Sequence, residues 1–510
     1  MEESRTKNSI KNISTGAVVQ IINKVMAFVV RTVFIKVLNS EYLGVNGLFT
    51  NILTILSFAE LGIGTAIIFN MYKPIAENDK EKIKSLMQLY KKSYNLIGSV
   101  VFFIGILIIP FMNVIVKETP NIKENINCIY ILFLLDTSLS YFFTYKKSII
   151  IAHQKQSIIN NVDSIFYLLK SLLQIIFLLL TKKFIVYLLI QIIGTFLENV
   201  LLSIKANKLY PYLKEKNVQK LNSEENKNIF LNVKSLIIYK FGTVIMNGTD
   251  NILISWLINV ESVGYVSNYV MIINSIKLII NSALDGITAS IGNLNTIGKK
   301  EQKEKVFYQF TFLNYLIYSF CSVAFIVLLD PFIKLWLGSE YVLAKSVSIS
   351  LTISFFIEGL RKSGYIYRTA MGLFKKGKIT PYIGAITNII LSILFVKIWG
   401  ITGIFIATSI AQLVSYFWID PYLIHKYIFE TSFFKYFKES LKYFTSFVVI
   451  TVFTCIITDF IGNQSFINFI LKSLIVVIVP NILNLAIFYK KNEFIELKAR
   501  IKNIIKERGK

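Results

Sequence analysis

Five stretches of this chain place polar and charged side chains inside segments that are otherwise apolar enough to cross a bilayer. In QIINKVMAFVVRTVFIKVL, residues 20–38, Lys24 and Arg31 lie well inside the run. A charge near the centre of a spanning helix costs about 2.5–3.5 kcal/mol on insertion scales, so such residues face a partner or a wet cavity. On a helix, Gln20, Lys24 and Arg31 fall within about 40° of arc, one narrow stripe, which Asn23 widens to about 100°. A second stripe joins Lys240, Thr243, Asn247, Asp250 and Asn251, and a third joins Ser267, Asn274, Lys277, Asn281, Asp285 and Thr288. The fourth is Thr50, Thr54, Ser57 and Glu60; the fifth is Ser354, Glu358, Arg361, Tyr365 and Arg368.

The chemistry open to these residues is binding. Lys24, Arg31, Lys240, Lys277, Arg361 and Arg368 suit a pyrophosphate or an acidic sugar through charge-assisted hydrogen bonds, with arginine adding bidentate contacts. Gln20, Asn247, Asn274 and Tyr365 suit sugar hydroxyls. Glu60, Asp250, Asp285 and Glu358 are the candidates for ion coupling through Na⁺ or H⁺, and no other cofactor is expected. Each stripe also has an ordinary reading. Lys36, Lys146, Lys147, Lys205 and Lys375 lie near helix ends and read as snorkelling anchors, as Lys362 and Arg368 also do. Glu60, Asp136, Asp163 and Glu198 read equally as partners for lysines such as Lys170, and Asp250 and Asp285 as counter-charges to Lys240 and Lys277. Neither a metal centre nor a disulfide framework is expected, because the chain has two histidines, His153 and His425, and three scattered cysteines, Cys128, Cys321 and Cys455. No GxxxxGK[ST] motif is present, which argues against ATP hydrolysis by this chain.

The elements that must carry these stripes are membrane helices. Of 510 residues, 54% are hydrophobic, and the mean hydropathy is +0.58, which places the chain among polytopic membrane proteins. The net charge of +25 comes from lysines between apolar runs and does not point to nucleic acid. Apolar windows predict about fourteen helices, near 13–38, 42–72, 93–116, 126–146, 157–181, 184–204, 230–258, 262–292, 306–329, 342–372, 379–397, 400–424, 439–459 and 466–489. Lysine and arginine concentrate in alternate loops, which predicts that both termini are cytoplasmic. The first apolar segment is too long for a signal-peptide core and stays as a span.

The chain repeats itself. VLNSEYLG at 37–44 and LINVESVG at 257–264 match at Asn39/Asn259, Glu41/Glu261 and Gly44/Gly264, an offset of 220 that also aligns Ala152 with Gly372 and Lys155 with Lys375. Six spans separate the copies, so the repeats are parallel, related by a pseudo-twofold axis along the membrane normal. The expected organisation is all-α. It has an N-terminal six-helix bundle (1–204), a cytoplasmic linker (205–229), a C-terminal six-helix bundle (230–427), an appended helix pair (428–490) and a basic cytoplasmic tail (491–510). The simplest packing turns the five stripes toward one water-accessible cleft between the bundles.

EYLGVNGLFTNILTILSFAELGIGTAI at 41–67, MNGTDNILIS at 246–255, VGYVSNYVMI at 263–272, FIKLWLGSEY at 332–341 and the GLF..G.I.P stretch at 372–381 carry a family likeness. Over about residues 8–430 the chain resembles the polysaccharide transport branch, the Wzx-type O-antigen and capsule repeat-unit flippases, of the multidrug/oligosaccharidyl-lipid/polysaccharide exporter superfamily. The resemblance implies a two-bundle fold and the translocation of undecaprenyl-diphosphate-linked oligosaccharide from the cytoplasmic to the outer leaflet by alternating access. Its partners would be the lipid-linked substrate, the bilayer, and the polysaccharide polymerase and chain-length machinery. A multidrug exporter and a lipid II flippase share that fold. A membrane polymerase or glycosyltransferase is the rival from another class, and against it stand short outside loops without a carboxylate pair.

Overall fold

The computed structural model describes residues 2–57, 60–118, 120–215, 218–219, 221–297, 299–371, 373, 377–462 and 465–499, with the side chains at 2–19, 61–62, 65, 228, 232, 235–236, 238–241, 243, 246–247, 283, 285–290 and 292–297 left out. Among the described residues there is no strand. The helices are α1 (Glu2–Val37), α2 (Ser40–Leu56), α3 (Glu60–Ala76), α4 (Lys80–Ile108), α5 (Met112–Ile115), α6 (Ile126–Thr144), α7 (Lys147–Ala152), α8 (Gln156–Thr181), α9 (Phe184–Leu209), α10 (Ser223–Gly248), α11 (Asp250–Leu257), α12 (Val260–Ile297), α13 (Lys300–Trp336), α14 (Lys345–Ala370), α15 (Thr380–Trp399), α16 (Ile401–Val414), α17 (Tyr416–Ile424), α18 (Phe434–Asp459) and α19 (Phe466–Phe488).

Helix starts follow from local chemistry. Asn39 accepts from the backbone N–H groups of Glu41 and Tyr42, both at 3.1 Å, and its repeat partner Asn259 accepts from that of Ser262 at 2.8 Å. Asp79 and Asn125 cap α4 and α6 in the same way, supplying acceptors to N–H groups that a helix leaves open. The tight turn between α15 and α16 is made at Gly400, whose φ of 55° and ψ of −136° suit a residue without Cβ.

Ten described helices are long and apolar enough to cross a membrane. They coincide with ten of the expected spans. The remaining four, near 13–38, 42–72, 230–258 and 342–372, carry four of the five polar stripes; charges and amides lower the apolarity of three of them, and 42–72 holds two helices of 17 residues each, too short to span singly. Four expected spans each hold two helices: 42–72 has α2 and α3, 93–116 the end of α4 and the short α5, 230–258 α10 and α11, and 400–424 α16 and α17. Lipid-facing surface is plain on α8 and α18, where Leu180 and Phe434 are among the most exposed apolar side chains, as expected where hydrocarbon replaces water.

The repeat is visible in the helix ends. α1 ends at Val37 and α11 at Leu257, and α2 begins at Ser40 and α12 at Val260, each pair 220 residues apart. By compactness the chain divides into Met1–Gly264 and Tyr265–Lys510. The division falls inside α12, because α10 and α11 pack on α2, and α10 on α3. In the first unit the starts of α2 and α12 cross at two glycines. A Cβ on Gly44 would lie 2.0 Å from the Val260 carbonyl oxygen, and one on Gly264 would lie 2.3 Å from that of Ser40. Each glycine therefore rests on the repeat counterpart of the other's partner. The Ser40 hydroxyl also donates to Glu261 Oε1 at 2.8 Å.

In the second unit, α13 is the central helix, and the appended pair α18 and α19 docks on it and on α14. The rings of Tyr315 and Tyr443 stack at 4.6 Å, those of Phe356 and Phe447 at 4.0 Å, and the Tyr315 hydroxyl donates to Asn484 at 2.9 Å. Offset stacking with a satisfied hydroxyl makes this a specific packing surface.

Candidate functional site

In the second unit α12 and α14 bring two stripes together. Lys277 Nζ lies 2.6 Å from Glu358 Oε2, with both side chains partly open to solvent. One turn along α14, the Arg361 guanidinium sits 4.4 Å from the centre of the Tyr416 ring, which holds its plane by cation–π attraction. Lys362 lies 5.9 Å from the Tyr365 ring. Tyr365 is 37% exposed and Asn274 is exposed. Lys277, Arg361 and Lys362 thus surround one carboxylate, Glu358, on which all three act electrostatically. Such an excess of cations beside hydroxyl and amide groups can hold an anion and a polyol.

Arg368 does not belong to this lining. Its side chain is 0% exposed and its Nη1 lies 3.0 Å from Asp420 on α17, whose side chain is equally buried; the same nitrogen donates to the Gly377 carbonyl at 3.4 Å. A wholly buried guanidinium already held by a carboxylate ties α14 to α17, so the substrate-binding assignment of Arg368 is corrected to a structural one.

The first unit holds a polar cavity of about 300 Å³ lined by Thr50, Thr54, Ser57, Glu60, Asp136 and Tyr141, among others. Glu60 Oε1 accepts from the Tyr94 hydroxyl at 3.0 Å, and Tyr94 in turn accepts from Tyr90 at 3.0 Å. Asp136 Oδ2 accepts from Gln191 Nε2 at 2.8 Å. The fourth stripe therefore meets α6 and α9. Asp136, Tyr141 and Gln191 were not among the expected site residues. The repeat offset is a signal that leads to one of them, since it carries Arg361 to Tyr141, Lys277 to Ser57 and Asn274 to Thr54. The two sites thus occupy equivalent positions in the repeats with different chemistry, carboxylates and hydroxyls in one, cations in the other.

The remaining expected residues are placed as follows. On α1, Gln20 is exposed and Lys24 half-buried. Asn23 donates to Ser164 on α8 at 3.3 Å, and Arg31 has Tyr187 and Tyr167, on α9 and α8, as its electrostatic neighbours. The Asn23 and Arg31 part of the first stripe therefore faces α8 and α9 of its own unit. Asp250 opens α11 and is half-buried. The side chains of Lys240, Asn247 and Asp285 lie outside the described residues. Of the four acids expected to pair with lysines, Asp163 and Glu198 do so in a network, in which Lys147 reaches Asp163 at 3.4 Å and Glu198 at 3.1 Å and Lys170 reaches Glu198 at 3.1 Å, whereas Glu60 and Asp136 accept hydrogen bonds from Tyr94 and Gln191.

The sequence family described as polysaccharide biosynthesis protein matches residues 9–288. No curated protein matches the chain by sequence. Among solved structures, the chain is similar to the lipid II flippase MurJ in an inward closed conformation, with a TM-score of 0.67 at 16% identity over 93% of this chain and 99% of that one. It is similar to an inward-facing multidrug resistance MATE family transporter of the MOP superfamily, with a TM-score of 0.60 at 16% identity over 79% and 97%. A Vibrio cholerae MATE transporter, VcmN in the bent form, gives 0.54 at 12% identity over 84% and 98%. At these identities the likeness is one of fold, and it spans both units and nearly the whole of each neighbour.

Proposed function

The chain belongs to the polysaccharide biosynthesis protein family, and from that premise we propose that it is a flippase. Its substrate would be an undecaprenyl-diphosphate-linked oligosaccharide repeat unit, carried from the cytoplasmic to the outer leaflet of the bacterial plasma membrane for surface polysaccharide synthesis. Both termini are cytoplasmic in this reading, and the cycle is alternating access without a chemical step on the cargo. The observation that carries the proposal is the excess of cations around Glu358: Lys277, Arg361 and Lys362 beside Tyr365 and Asn274. An anionic diphosphate gains from that lining, with the sugars on the amide and phenol groups. An organic cation would be repelled by it, which favours a lipid-linked saccharide over a drug. Glu60, held by Tyr94 in the polar cavity of the first unit, is the candidate for coupling to a Na⁺ or H⁺ gradient. The polymerase and chain-length machinery would receive the product.

The test is complementation of a deletion strain with Arg361→Gln and Arg361→Lys, reading membrane level of the protein, surface polymer and lipid-linked precursor on the cytoplasmic leaflet. The expected result is normal protein level with precursor accumulation for the glutamine variant and partial rescue for the lysine variant. Unchanged surface polymer in both would remove the cationic site from the reading. Accumulation of the peptidoglycan precursor in place of the polysaccharide one would turn the assignment to lipid II.

A further inference from the structure

The first unit contains a second basic site, remote in sequence from the stripes and built from the segment that follows α9. A cavity of about 410 Å³ is lined by Lys84, Gln88 and Lys91 of α4, Lys146 between α6 and α7, Asn207 of α9, and Lys214 and Glu215 beyond it. Its outer wall is strapped down. Ser85 donates to the Gln219 carbonyl at 2.6 Å, Lys82 pairs with Glu225, and Lys84 reaches Glu215 and Glu81, each at 2.6 Å. Those contacts consume Glu215, the only acid among the described lining residues. Lys84 is therefore neutralised, whereas Lys91, Lys146 and Lys214 make no ion pair among the described residues. Three lysines thus line one cavity with Asn207 beside them, Lys146 half-buried and Lys91 and Lys214 exposed. Ordinary loop lysines point apart into water and gain nothing from one another. Here burial, followed by the charges of Lys91 and Lys214, pulls Lys146 below its usual ammonium range, a repulsion that a bound anion relieves.

We propose that this cavity is a phosphate-binding site, filled by a phosphate or diphosphate group held by Lys91, Lys146 and Lys214. It lies among the basic loops that the positive-inside rule assigns to the cytoplasm. Three point charges without arginine suit the tetrahedral oxygens of a phosphate better than a planar carboxylate. Two sources present that group there, the head group of a membrane lipid and a soluble phosphate compound. The site does not rest on the flippase reading, since neither probe below requires transport.

The experiment uses the full chain in phosphatidylcholine nanodiscs and reads the thermal unfolding midpoint. One arm adds inorganic pyrophosphate, and the other replaces part of the phosphatidylcholine by phosphatidylglycerol. Lys91→Gln, Lys146→Gln and Lys214→Gln are combined in one variant, the three arginine substitutions in a second, and the exposed Lys73→Gln on α3 serves as control. The expected result is a rise in midpoint that fades with ionic strength, is kept by the arginine and control variants, and is at least about tenfold less sensitive to ligand in the glutamine variant, one or more charge-assisted hydrogen bonds having been lost. A response to pyrophosphate alone assigns a soluble or diphosphate ligand; a response to phosphatidylglycerol alone assigns a membrane head group. No response in either arm, or one that survives in the glutamine variant, overturns the proposal. Because the readout is the ligand-induced change, a lower starting stability of the variants does not obscure it.

Discussion

Substituting Gly44 by alanine tests the crossing of α2 and α12. The new Cβ would stand 2.0 Å from the Val260 carbonyl oxygen, whereas an unforced C···O approach is about 3.3 Å or more. Both atoms are backbone-fixed, so the helix starts must separate by about 1 Å. Overpacking of this kind costs roughly 1–3 kcal/mol. In a chain that alternates between conformations, that cost falls on the one in which α2 and α12 touch, and it shifts the population away from it by roughly 5- to 150-fold. Gly264→Ala, with its Cβ 2.3 Å from the Ser40 carbonyl oxygen, should act alike. Gly47→Ala is the control on the same helix, because its Cβ would meet side-chain atoms alone, the Val263 Cγ1 methyl at 3.3 Å and Asn251 Nδ2 at 3.8 Å. The assay is disulfide formation between Ser40→Cys and Glu261→Cys, whose native side chains meet at 2.8 Å, in a background with Cys128, Cys321 and Cys455 replaced by serine. Cross-linking should fall sharply in Gly44→Ala and Gly264→Ala and stay near the parent level in Gly47→Ala. Equal yields in all three would refute the reasoning.

The buried pair of Arg368 and Asp420 predicts that Arg368→Gln alone lowers stability by about 3–5 kcal/mol, read as loss of the folded peak in size-exclusion of the detergent-solubilised protein. Arg368→Met with Asp420→Leu should recover most of it, because no charge is then left without a partner. The half-exposed pair of Lys277 and Glu358 should behave differently: exchanging the two residues keeps the protein at its normal membrane level but lowers surface polymer, and unchanged polymer would show that the pair only packs. Asp136→Asn preserves the acceptor of the Gln191 hydrogen bond, so a normal protein level with lost transport would mark the charge itself as needed. Tyr315→Phe should release the appended helix pair from α13 by about 0.5–1.5 kcal/mol, the net worth of a hydrogen bond, measurable as a lower thermal midpoint.

Much of the fold was legible because membrane helices obey few rules. A run of about 20 apolar residues must be helical in lipid, and the offset joining Asn39 to Asn259 predicted matching helix ends, which α1 and α11 display to the residue. Breaks inside spans were less legible. Nothing in the periodicity of 42–72 announces that α2 stops at Leu56, because an interruption in a buried helix is set by neighbours rather than by its own residues. The stripes were legible as stripes, but a helical wheel gives a face without its neighbour. Arg368 lies on the same arc as Glu358 and Arg361, yet it meets Asp420, a residue on a distant span. Arg31 likewise meets tyrosines of α8 and α9, which no spacing within α1 could reveal. The basic cavity was illegible for the opposite reason. In the sequence Lys146 reads as a snorkelling anchor and Lys91 and Lys214 as basic residues between apolar runs; it is the attachment of Glu215 and Gln219 to α4 that brings the three to one cavity.

The repeat adds a last constraint. Thr54, Ser57 and Tyr141 correspond to Asn274, Lys277 and Arg361, so one ancestral surface has become neutral and acid-flanked in one copy and cationic in the other. If both copies performed the same task, a parallel duplication would leave their lining alike, since the backbone positions already are. On the flippase reading the divergence suits different tasks: an anionic group in the second unit, and hydroxyls or a cation beside Glu60 and Asp136 in the first. A charge transplanted by the offset should then act asymmetrically. Ser57→Lys gives the first unit the second unit's cation beside two carboxylates that pair with it, which fills the polar cavity rather than creating an anion site. Lys277→Ser removes the cation that pairs with Glu358 at 2.6 Å and leaves Arg361 and Lys362 beside that carboxylate. On the flippase reading both lose transport, but only the second should be rescued in part by a lysine placed one turn away on α12, because only there is the missing quantity positive charge itself.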